Sequence, residues 1–98
     1  MSLYRIPGKL NDKNVDKRPI LLVHSLDVDH MIWTFQRFES APAFVLAESG
    51  YDVWLGDNRG NRFSLGHKTL DSRKDRDYWM FSWEQLGLHD VPAFIEQI

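Results

Sequence analysis

AFVLAESGYDVWL, residues 43–55, decides how this chain folds. Ala43, Phe44, Leu46 and Ala47 fall on one face of a helix, which reads as running from Ala41 to Ser49. Gly50 then stands where a helix C-cap wants a residue free to adopt left-handed backbone. Tyr51 to Leu55 reads as a strand, closed by Gly56. Upstream, Pro19 opens the run Ile20-Leu21-Leu22-Val23, apolar on both faces, as expected for a strand buried in a parallel sheet. Strand, helix, glycine and strand make a βαβ unit, with parallel strands at about 20–24 and 51–55 and a right-handed crossover. The expected class is α/β.

Outward from this unit the signals are shorter. Leu3 to Ile6 reads as a strand stopped by Pro7-Gly8, and KLNDKNVDKR, residues 9–18, as a charged loop with Asn and Asp turn formers. Residues 56–80 are polar and glycine-punctuated, a long loop of the kind that is functional or docked. Ser82 with Gln85 gives the S-x-x-Q capping pattern and opens a helix that Gly87 weakens. Asp90 is expected to cap a second helix, with Pro92 in its first turn and Val91, Phe94, Ile95 and Ile98 on one face.

With 98 residues the chain has room for one small domain and a thin margin of stability. An apolar fraction of 43% against 27% charged is that of a globular protein rather than a disordered one. The formal net charge of −2 gives no electrostatic case for nucleic acid. With no cysteine, disulfides and thiolate metal sites are excluded. No apolar run approaches the ~20 residues of a transmembrane helix, and MSLYRIPGKL lacks the apolar core of a signal peptide.

ILLVHSLDVDHMIW, residues 20–33, concentrates the chemistry: His24, Ser25, Asp27, Asp29 and His30. Three readings compete. Ser25 could be a nucleophile with a histidine as base, but neighbouring side chains on a strand point to opposite faces, so His24 does not naturally reach it. No G-x-S-x-G elbow occurs in the chain. A metal site drawn from His24, Asp27, Asp29 and His30 matches no zinc spacing, so no metal and no cofactor are expected. The third reading is a turn directly after a buried strand that offers a backbone N–H to an oxyanion.

Three blocks carry a family resemblance. ILLVHSLDVDHMIW resembles the L-Q-H-G-L-x-x-x-x-x-x-W segment of the acid lipases, the gastric and lysosomal type. FVLAESGYDVWLGDNRGNRFSLGHKTL resembles their L-A-x-x-G-Y-D-V-W-L-G-N-x-R-G-N block, and DYWMFSWEQLGLHDVPAFIEQI their F-W-x-F-S-[WF]-x-E-x-x-x-Y-D-L-P-A-x-I segment. LYRIPGK is similar to their early R-I-P-x-G strand. The resemblance implies an α/β-hydrolase fold and hydrolysis of carboxylic esters of neutral lipids, triacylglycerols or cholesteryl esters. It implies that Leu26 supplies the oxyanion N–H. It also implies that residues 1–98 are one truncated N-terminal region, with the nucleophile elbow, the rest of the triad and the cap domain outside it. Family members are mostly secreted or lysosomal, and the compartment of this chain stays open. Ser25 occupies the position of the family's glycine, where serine restricts the backbone or turns its hydroxyl toward the site.

Other conspicuous residues have plainer expectations. Asp57 to Asn61 read as a turn scaffold, with Arg59 paired to an acid and Asn61 bonded to loop backbone. Trp33, Trp54, Trp79 and Trp83 are expected to pack the sheet and loop rather than line an acyl groove. His67, His89 and the charged run 73–77 are expected to face solvent. Three functions follow: a portion of a lipase acting on a lipid or ester substrate, with little or no triad-type turnover alone; a non-catalytic binding or assembly module; and a minimal esterase using Ser25 with a histidine. An unpaired edge at the 20–23 strand leads to the expectation of a homo-oligomer.

Overall fold

The computed structural model describes residues 1–9 and 11–98; Leu10, inside the expected charged loop, lies outside the described residues. Three strands form one mixed sheet in the order β1 (Ser2–Ile6), β3 (Asp52–Asp57), β2 (Pro19–Val23). β2 runs parallel to β3 with Ile20 beside Val53 and Val23 beside Gly56. β1 runs antiparallel to β3, Leu3 beside Gly56 and Ile6 beside Val53. The two parallel strands are joined by a 3₁₀ turn (His30–Trp33) and helix α1 (Pro42–Glu48), so the βαβ unit stands as expected, with β3 two residues longer at its C-terminal end than the 51–55 strand read from sequence.

β3 is the central strand, and its two faces are covered differently. Val53 and Leu55 are buried against Ala43 and Ala47 of α1, with Ile6, Leu22, Trp33, Leu46 and Tyr51 around them. Small residues on α1 let the helix lie close to the sheet. Gly50 takes φ 95 after the helix, the left-handed turn expected of a C-cap glycine. On the other face a Cβ at Gly56 would lie 2.8 Å from the Phe94 ring, so glycine is what lets that ring seat on the strand.

The long loop 56–80 is docked, not free. Ser64 is buried, donates its hydroxyl to the Asp57 carbonyl at 2.8 Å and accepts the Ser2 N–H at 2.8 Å. Buried Tyr78, on a 3₁₀ turn (Arg76–Trp79), donates to the Ser64 carbonyl at 3.3 Å.

The C-terminal region departs from the expected pair of capped helices. Gln85 does close the start of α2 (Trp83–Gln85), its side-chain oxygen accepting the Ser82 N–H at 2.7 Å. But Asp90 is not an N-cap. It has helical backbone, φ −71 and ψ −49, and belongs to a π-helical stretch (Leu86–Asp90) that joins α2 to α3 (Val91–Gln97) without a break. The Val91 N–H reaches back five residues to the Leu86 carbonyl. The wide turn sits directly before Pro92, whose ring would otherwise crowd the carbonyl four residues earlier. Of the expected apolar face, Phe94 is buried and Ile95 is 61% exposed.

The radius of gyration, 15.1 Å, exceeds the ~13 Å of a compact domain of this length. Apolar side chains accordingly face outward, among them Phe35, Phe38, Val45 and Leu88.

Candidate functional site

The C-terminal ends of β2 and β3 lie side by side, and the turns that leave them meet. β2 gives way to His24 and Ser25, then a tight turn in which Asp27 takes φ 58. Asp tolerates that left-handed angle better than most residues. Ser25 is not among the residues with positive φ, so its side chain meets no backbone strain of the kind that would demand glycine.

His24 ties the two turns together. Its Nε2 accepts the Asn58 N–H at 3.2 Å, and its Nδ1 lies 2.8 Å from the Ser25 carbonyl, which fixes a ring with the proton on Nδ1. Both nitrogens are occupied by backbone and neither by the Ser25 hydroxyl. His24 therefore positions the turn. Asn61 adds a second tie, donating its amide to the Val28 carbonyl at 3.0 Å and accepting the Phe63 N–H at 2.8 Å, the loop-backbone role expected of it.

Asp57, fully buried at the end of β3, anchors the far side of the same turn. Its Oδ1 accepts the His30 N–H at 2.8 Å, and its Oδ2 lies 2.7 Å from His30 Nδ1. The His30 ring sits 4.2 Å from Tyr4 and 4.9 Å from Phe63, centroid to centroid. Asp29 caps the 3₁₀ turn through the Met31 N–H at 2.9 Å and pairs with Arg62 at 2.7 Å. Burial works to raise the Asp29 carboxyl, but the Met31 N–H and Arg62 outweigh it and hold it below the usual range. His24, Asp29 and His30 of the four candidate metal ligands thus have a holding task, and the fourth, Asp27, is exposed.

Arg59 is paired as expected, and its partner is Asp90. The wholly buried carboxylate accepts the Arg59 N–H at 2.8 Å and its Nε at 2.7 Å. This joins the end of β3 to the π-helical stretch. Between that stretch and the Leu26 turn lies a cleft of about 340 Å³, lined by His24, Leu26, Asn58, Trp79, Phe81 and Trp83 with their neighbours. Trp79 and Trp83 are 47% and 68% exposed, so two of the four tryptophans expected in the core instead form an open aromatic wall. Within the described residues no hydrogen bond takes up the Leu26 N–H. His67 and His89 are exposed, as expected.

No family model matches the chain. It is 38% identical over 100 residues to the human lysosomal acid lipase/cholesteryl ester hydrolase, 40% to the mouse gastric triacylglycerol lipase and 41% to mouse lipase member K. Each alignment covers all of this chain. The chain belongs to the acid lipase family. It spans about a quarter of the length of the acid lipases it matches, 25% in each of these three. The His24–Asn58 tie and the Asp57–His30 pair had no local signal in the sequence, since they join positions 34 and 27 residues apart. No helix among the described residues is long and apolar enough to cross a membrane.

Proposed function

We propose that these 98 residues adopt part of an α/β-hydrolase fold and carry the oxyanion turn of a lipase. The reaction is hydrolysis of carboxylic esters of neutral lipids, a reading supported by the gastric relative's being a triacylglycerol lipase and the lysosomal one a cholesteryl ester hydrolase. Leu26 is the working residue, through its backbone N–H. One observation carries the reading: the turn after the parallel strand β2 presents an N–H with no hydrogen-bond partner among the described residues, beside an aromatic cleft. A preorganised donor of this kind stabilises the tetrahedral oxyanion by roughly 3–4 kcal/mol. Ser25 and His24 do not form a nucleophile–base pair in this geometry, and the triad lies outside these residues by the family pattern.

The test has two parts. The purified chain is assayed on p-nitrophenyl butyrate beside Ser25→Ala, with no turnover or equal turnover expected; activity lost in the variant would make Ser25 the nucleophile and overturn the reading. The matched quarter of the mouse gastric lipase is then replaced by these residues. Leu26→Pro in that chimera deletes the N–H at a turn position that accepts proline, and kcat is expected to fall roughly 10²–10³-fold with little change in KM. An unchanged kcat would refute the assignment.

A second reading, an assembly module, is favoured by the open β2 edge and the outward apolar side chains. It gives the isolated chain a tendency to self-associate through that edge. Light scattering is expected to show a dimer or larger, and a stable monomer at high concentration would refute it.

A further inference from the structure

The peptide unit between Ser25 and Leu26 is held from one side. Its carbonyl, on Ser25, lies 2.8 Å from His24 Nδ1, and among the described residues nothing else bonds it. Its N–H, on Leu26, has no hydrogen-bond partner among them. Ser25, Leu26 and Asp27 are all exposed, so packing does little to hold the unit. A trans peptide is planar, and its C=O and N–H point in opposite directions. A grip on the carbonyl therefore sets the direction of the N–H, which is away from the His24 ring.

The ring that makes this grip is itself fixed. The His24 side chain is 9% exposed. Two donors meet its Nε2, the Asn58 N–H at 3.2 Å and the Asn61 amide at 3.4 Å, and both belong to the turn that leaves β3. The Asp57 carboxylate stands 3.8 Å away, outside hydrogen-bond reach. Nε2 thus accepts, and Nδ1 carries the proton given to Ser25. The bonds run from the end of the central strand, through one imidazole, to the peptide that borders the cleft.

We infer that His24 is a positioning residue for the reaction: through the Ser25 carbonyl it aims the Leu26 N–H, and Nδ1 alone does the aiming. The catalytic consequence rests on the oxyanion reading of Leu26 given above; the hold on the peptide does not. A role limited to tying the two turns together would need the other end of the ring, the bond from Asn58. The two ends can be separated. Asparagine at position 24 puts an amide N–H where Nδ1 stands and leaves the Asn58 N–H without its acceptor. Glutamine reaches as far as Nε2 with an oxygen for Asn58 and releases the Ser25 carbonyl.

The experiment has two readouts. In the 98-residue chain, NMR relaxation gives the order parameter of the Leu26 N–H. It is expected at about 0.85, the value of rigid backbone, in the natural chain and in His24→Asn, and below about 0.6 in His24→Gln. In the chimera with the mouse gastric lipase, His24→Gln is expected to lower kcat roughly tenfold to a hundredfold at unchanged KM. His24→Asn is expected to stay within about threefold of the natural kcat while melting at a lower temperature, since it loses the Asn58 bond. A Leu26 N–H that is mobile in the natural chain, or as ordered in His24→Gln as in the natural chain, would overturn the inference. So would equal kcat values for the two variants in a chimera that responds to Leu26→Pro. If a variant does not fold, the natural chain decides by itself, because an exposed N–H without a partner is otherwise mobile. The two readings fail separately. A chimera indifferent to Leu26→Pro, with the order parameters as expected, refutes the oxyanion role and leaves the hold of His24 on the peptide standing.

Discussion

Asp90→Ala removes a carboxylate that is wholly buried and faces three donors of Arg59, the backbone N–H at 2.8 Å, Nε at 2.7 Å and Nη2 at 2.6 Å. Breaking a buried ion pair by deleting one partner costs about 3–5 kcal/mol. The Arg59 side chain is 36% exposed, so its guanidinium can turn to water, which puts Asp90→Ala near the lower end, about 3 kcal/mol. Against a total stability of about 5–15 kcal/mol for a domain of this size, that is a large share. With an m-value of about 1.5 kcal/mol/M, the urea midpoint falls by roughly 2 M. The reverse deletion, Arg59→Met, removes both guanidinium donors and leaves the buried carboxylate with only the backbone N–H of residue 59, and is expected to cost more. Urea unfolding followed by tryptophan fluorescence measures both. A midpoint shift under about 0.5 M for Asp90→Ala, or an Arg59→Met variant more stable than Asp90→Ala, would refute the claim that burial sets this asymmetry.

Two further outcomes can be measured. Gly56→Ala places a methyl 2.8 Å from the Phe94 ring and is expected to destabilise by about 1–3 kcal/mol, with Phe94→Leu restoring part of the loss in the double variant; thermal melts of the four proteins check the coupling. Hydrogen bonding from Arg5 holds the Asp52 carboxyl below its usual range, with burial opposing and the Trp54 indole N–H assisting. A depressed folded-state value means the stabilisation is complete above about pH 4 and is lost as pH falls through the folded value. The Tm gap between the natural chain and Arg5→Gln should therefore be present at pH 7 and shrink as pH falls below about 4, and a gap constant with pH would refute it.

The βαβ unit was legible because its signals are local. An apolar run without alternation, an apolar helix face at Ala43, Phe44, Leu46 and Ala47 and Gly50 at φ 95 each speak for a few neighbouring positions; the structure keeps the parallel strand, the helix and the turn, but β2 is an edge strand, half-buried at best rather than covered on both faces. The Arg59 pairing and the Asn61 tie were legible in kind but not in partner. What was misread depends on distance. Asp90 looks like a cap because Asp before Val-Pro often is one, and only a β3 end 31 residues away gives its carboxylate a better use. Trp79 and Trp83 have the composition of core residues, but the cleft they face is made by turns from the other end of the chain. The place of β1, antiparallel on the far side of β3, likewise has no signature within its five residues.

The π-helical stretch makes the C-terminal helix sensitive to length where it is tolerant of composition. Gly87 lies within it, and a side chain there would meet open space, so many residues can stand at that position. Deleting it is another matter. Each residue of an α-helix advances the phase by about 100°, so removing one would swing Trp83 and Leu86 by roughly that angle relative to Asp90 and Phe94. The cleft wall and the two sheet-side contacts could not then both be met. The extra residue acts as a vernier, setting the angle between the helix face that borders the cleft and the face that grips the sheet.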